Sequence, residues 1–81
     1  MKKETLRAIL RENKVPEHYY NLDNTGEVDQ RVCLDFDGET WMVYYFERGK
    51  MFNLDKYQTE DEACTNILNR LVKENRLSNI M

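Results

Sequence analysis

The sequence predicts an α+β fold in the order α-β-β-β-α, with an antiparallel three-stranded sheet and both helices packed on one face. Three observations carry this prediction: apolar stripes at helical spacing near both ends, period-two alternation in the middle, and two tight-turn signals that join strands as hairpins. At 81 residues the chain is expected to form a single domain, 1–81.

Leu6, Ile9 and Leu10 recur at three- and four-residue steps between about Lys2 and Asn13, with Lys, Arg and Glu on the opposite face. Pro16 ends this helix because it biases Val15 away from helical angles. Glu17 to Leu22 is short and aromatic, and Asp23-Asn24-Thr25-Gly26-Glu27 has turn chemistry without periodicity, so it reads as a loop.

In the first strand Val32, Leu34 and Phe36 alternate with Arg31, Cys33 and Asp35, which places the apolar set inward. Asp37-Gly38 is a two-residue hairpin signal leading into Thr40 to Glu47. That second strand is apolar on both faces: Trp41, Val43 and Tyr45 share one, Met42, Tyr44 and Phe46 the other, and either set can pack under the helices. Arg48-Gly49 turns into Lys50 to Leu54, with Phe52 and Leu54 expected to face the core. Thr59-Glu60-Asp61-Glu62 is a capping box whose three acids suit the positive end of a helix dipole. Ala63, Cys64, Ile67, Leu68, Leu71 and Val72 then form an apolar stripe. The helix is expected to reach about Asn75, followed by a frayed Leu77–Met81 tail.

With 33% charged and 41% hydrophobic residues the composition is that of a globular chain, not a disordered one. No apolar run approaches a membrane span, and the opening residues lead into no signal-peptide segment, so we expect a cytoplasmic protein with reduced thiols. Cys64 lies on the apolar stripe as a small buried hydrophobe, whereas Cys33 is expected to be the more accessible. Cys33 and Cys64 match no zinc spacing, and His18 has no nucleophile beside it, so neither a metal, nor a cofactor, nor enzymatic activity is expected.

The net charge of −3 is unevenly distributed. Residues 1–14 hold five bases against two acids, whereas residues 17–39 hold seven acids against Arg31 alone, a local charge of −6. Such a stretch attracts basic partners and repels nucleic acid. Asp23, Glu27, Asp29, Asp35, Asp37 and Glu39 are therefore candidate partner-binding residues, with Tyr44 as a candidate aromatic anchor. A solvated acidic surface and a packed aromatic are the alternatives. The α-β-β-β-α order is also that of double-stranded-RNA-binding domains, but three acids open the second helix where phosphate contact needs cations. An acidic mimic of nucleic acid is a further alternative, although mimics carry far higher charge than −3.

The run Trp41-Met42-Val43-Tyr44-Tyr45-Phe46-Glu47-Arg48-Gly49, then Phe52 and Glu60-Asp61-Glu62-Ala63-Cys64, resembles small bacterial immunity proteins of polymorphic toxin and contact-dependent growth inhibition systems. Ile9-Leu10, Asn13, Val15-Pro16-Glu17 and Tyr19-Tyr20 extend the resemblance to roughly residues 5–72. It implies a non-enzymatic inhibitor that binds the C-terminal domain of a cognate toxin inside the cell. Many such toxins are nucleases with basic active sites, which an acidic surface would complement. A homodimer through an exposed aromatic sheet face is a further expectation.

Overall fold

A computed structural model describes residues 1–23, 26 and 28–73. The chain forms helix α1 (Lys3–Glu12), a 3-10 turn (Glu17–Tyr19), strands β1 (Tyr20–Asn21), β2 (Arg31–Phe36), β3 (Trp41–Glu47) and β4 (Lys50–Tyr57), and helix α2 (Glu60–Leu68). The last helix continues as a wider π-type turn over Asn69–Lys73. The α+β class holds. The sheet, however, is mixed and four-stranded, in the order β1-β2-β3-β4, rather than antiparallel and three-stranded.

The additional strand is β1, which pairs parallel to β2 through Tyr20↔Val32 and Asn21↔Cys33. Two residues cannot display a period, so no alternation marks them in the sequence. The sequence-predicted β2 and β3 are found within a residue of their expected bounds and pair antiparallel from Arg31↔Phe46 to Phe36↔Trp41.

The turn between them shifts by one residue. Asp37 N–H donates to the Thr40 carbonyl at 3.1 Å, so Gly38 and Glu39 are the central pair. Gly38 takes φ 102 at the first central position, where a mirror-image type II turn calls for glycine. In the next hairpin Arg48 and Gly49 both take positive φ, 53 and 79, as a two-residue turn closing Glu47↔Lys50 requires.

β4 runs to Tyr57, past the expected Leu54, and absorbs a bulge. Tyr45 pairs with Phe52 and Val43 with Asp55, so one extra residue enters β4, and Asn53 sits there at φ 55. The bulge separates Phe52 and Leu54 onto opposite faces. Phe52 is 45% exposed and Leu54 44%, which corrects their expected core position. The bulge and the lysines Lys50 and Lys56 also make β4 a poor template for a further strand.

Leu6 and Leu10 of α1, Ala63, Cys64 and Ile67 of α2, and Val32, Leu34 and Val43 of the sheet join in one buried cluster. Trp41 and Tyr45 pack against it, so this is the inward set of β3. Met42, Tyr44 and Phe46 line the other face. Cys33 is fully buried there despite lying opposite the helices, a correction to its expected accessibility. It sits between Asn21 and Tyr44 in register, with the Val28 carbonyl 3.8 Å from its Sγ, so the β1–β2 connection lies against it.

Burial pushes both thiols up, from an ordinary 9.0 to about 11 for Cys33 and for Cys64. Both should resist a disulfide-exchange reagent at pH 8 in the native protein and react fully in denaturant. In the window between about 9 and 11 the unfolded chain has released thiol protons that the native state retains. Stability is therefore expected to fall as pH rises through that window, which alkaline urea titrations would read.

The helix ends account for how the two helices meet. α1 ends in paired return bonds, Lys14 N–H to the Arg11 carbonyl and Val15 N–H to Leu10, with Lys14 left-handed at φ 59. The helix has thus already stopped before Pro16. Its N-terminus has no cap of its own, and Glu60 Oε2 of α2 accepts from Lys3 N–H at 2.9 Å, while Asp61 pairs with the Met1 amino group. The acidic start of α2 is thereby spent on α1.

Thr59 caps α2 as expected, accepting from Glu62 N–H at 3.1 Å, while its own hydroxyl donates to Glu62 Oε1 instead of Glu62 reaching the cap backbone. Thr59→Ala is expected to cost about 1 kcal/mol, read as a lower urea midpoint at unchanged slope. The expected Asn75 end and the Leu77–Met81 tail lie outside the described residues.

Candidate functional site

The acidic stretch does not fold into one patch. Asp23 is drawn to α1, where Lys3 Nζ and Arg7 Nη2 each lie 3.1 Å from its carboxylate. Hydrogen bonding from Lys3, followed by the Arg7 charge, holds its pKa below the usual carboxylate range. Asp29 accepts from Arg48 N–H at 2.7 Å and so ties the β1–β2 connection to the β3–β4 turn. Glu27 lies outside the described residues.

Asp35, Asp37 and Glu39 gather at the other end of β2, about 17–20 Å from Asp29 at the strand's rise per residue. Asp37 organises this tip. Its carboxylate accepts from Thr40 N–H at 2.7 Å, Glu39 N–H at 2.8 Å and the Thr40 hydroxyl at 3.0 Å. These bonds, the Thr40 amide first, hold its pKa below the ordinary value. Asp37 thus shapes the turn, while the Glu39 side chain is exposed at its apex.

The same tip carries an aromatic surface. Phe36, expected inward, reaches past the helical cover and is 47% exposed. Its ring lies 4.6 Å from that of Trp41, tilted by 35°. Cross-strand pairing continues the row to Tyr57 on β4. Tyr44, the expected aromatic anchor, is only 5% exposed, packed opposite Cys33 and edge-on to Phe46, and cannot serve as a surface contact. Phe36 was hidden in the sequence because alternation assigns a face but not how far the covering helices extend.

His18 lies exposed beside Tyr19, ring centroids 5.0 Å apart. Among the described residues no group of three or more His, Cys, Asp and Glu side chains could hold a metal ion. Nor is any helix among them long and apolar enough to cross a membrane. Compared with protein-family models, with curated proteins and with solved structures, the chain matches none. The chain is thus a small α+β protein that presents an aromatic hairpin end beside acidic turn residues.

Proposed function

We propose that this chain is a non-enzymatic immunity protein that neutralises a cognate bacterial toxin domain in the cytoplasm by binding it through the β2–β3 hairpin tip. The observation that carries this reading is Phe36, half-exposed on Trp41 at the hairpin end whose turn carries Asp37 and Glu39, with Asp35 on the other face of the strand. An aromatic with an apolar body and a supported ring is the residue type that anchors protein interfaces. Acids around it favour a basic partner and oppose nucleic acid, since each would repel phosphate. A nuclease domain, whose active site must be cationic to hold its substrate, fits that rim. The resemblance of residues 41–49 and 60–64 to immunity proteins supports the same assignment.

The test is co-expression with the toxin domain encoded beside this gene. Growth protection together with co-purification of the two chains is the expected result. Failure of any neighbouring gene product to bind or to be neutralised would overturn the proposal.

A further inference from the structure

A second concave site lies on the opposite flank, between α1 and the edge strand β1. It has a volume of about 200 Å³ and is lined by Arg7, Arg11 and Arg31 together with Glu17, Tyr20 and Asp23. Three guanidinium groups converging on one small basin is unusual in a chain of net charge −3. Two are partly answered: Arg7 by Asp23 at 3.1 Å and Arg11 by Glu17 at 2.9 Å. Among the described residues Arg31 reaches backbone carbonyls alone, Glu17 at 3.4 Å and Tyr20 at 3.5 Å. Counting Lys3, which reaches Asp23 from beside the basin, four cations stand against two carboxylates among the described residues, a local charge of +2.

The floor supplies the second observation. Tyr20 is 6% exposed, and its hydroxyl has no hydrogen-bond partner within 3.5 Å among the described residues. An unmade buried hydrogen bond costs roughly 1–3 kcal/mol, so such a group calls for an explanation. Tyr20 lines the basin, and Arg11 is the donor nearest in influence to its hydroxyl, although no bond of ordinary length joins them.

We propose that this basin binds a phosphate group, with Arg31 and Arg11 donating to its oxygens and the Tyr20 hydroxyl donating from the floor. Guanidinium forks match tetrahedral oxyanions in both charge and spacing, and a dianion would neutralise the local +2. The Arg11 side chain is 60% exposed and can turn onto a ligand, opening the way to the hydroxyl. Glu17 and Asp23 restrain the affinity and hold the guanidinium groups in place when the basin is empty. The site is separate from the hairpin tip and does not depend on the toxin reading.

The probes are inorganic phosphate and ribose 5-phosphate, each titrated into the purified full chain by calorimetry and by thermal unfolding, against chloride at matched ionic strength. At about 10 mM, phosphate is expected to raise the unfolding midpoint where chloride does not. Arg31→Gln is expected to weaken binding about tenfold or more, as losing one charge-assisted hydrogen bond does. Tyr20→Phe is expected to weaken it severalfold while leaving the unliganded protein as stable or more so, because no hydroxyl is then stranded. Binding of both probes assigns a phosphomonoester as the ligand class, and binding of inorganic phosphate alone assigns the free anion. No phosphate-specific stabilisation, or one that both variants leave unchanged, overturns the site.

Discussion

Leu34→Ala is expected to remove roughly 2–5 kcal/mol of stability. Leu34 is 2% exposed in β2, inside the cluster where Ile67 and Cys64 of α2 meet Val43 of β3. A cavity there cannot close cheaply. The strand is held on both sides by β1 and β3, and α2 is fixed at its start by the Thr59 cap. Domains of this size hold only about 4–12 kcal/mol in total, so the loss is a large share of what keeps the chain folded. The thermal midpoint followed by circular dichroism should drop by at least about 10 °C. Leu54→Ala is the matched control: the same side-chain change at a site 44% exposed beyond the bulge should stay within about 0.5 kcal/mol. Equal losses at the two positions would mean that Leu34 does not face the core or that Leu54 does.

How much of this was legible beforehand depended on whether a local pattern was long enough to carry the signal. Arg31 to Phe36 offers three full alternations, and the strand is found at those residues. Thr59 and Glu62 stand at the spacing that cap geometry demands, and the cap forms. Tyr20 and Asn21 offer no period at all, because a two-residue strand is defined only by its neighbour. The bulge at Asn53 was equally silent: nothing in Phe52-Asn53-Leu54 distinguishes an ordinary strand from one in which asparagine turns left-handed. In β3 both faces are apolar, so the pattern alone could not choose between Tyr45 and Tyr44 as the inward residue. The helices claim the Tyr45 side, and Cys33 and Phe46 pack around Tyr44 on the other. The acidic stretch fails in the reverse way, since charges adjacent in sequence are not adjacent in space. A six-residue strand and a return connection carry Asp23, Asp29 and Asp37 to three different parts of the surface.

That separation sharpens what mutagenesis at the interface should show. Phe36→Ala removes the aromatic body and leaves Trp41 anchored on the core side, so the chain should fold while affinity for the toxin domain falls by at least about thirtyfold, the loss of a hot-spot contact. Glu39→Lys reverses a charge that makes no turn bond of its own. Its effect should fall on the association rate, be largest at low salt, and fade as ionic strength rises. Asp37 is the wrong residue for this comparison, because its carboxylate holds the amides of Glu39 and Thr40, and a loss of binding there could be a loss of turn shape. Asp23→Asn is the informative control among the acids, since Asp23 is already occupied by Lys3 and Arg7 on the far flank. If acidity in general were what the toxin reads, Asp23→Asn and Glu39→Lys would both slow association, roughly in proportion to the charge removed. If the tip is the docking surface, Asp23→Asn leaves the rate unchanged and Phe36→Ala alone accelerates dissociation. Stopped-flow association and dissociation rates of the four proteins separate the two outcomes. Unchanged dissociation for Phe36→Ala would remove the hairpin tip from the interface.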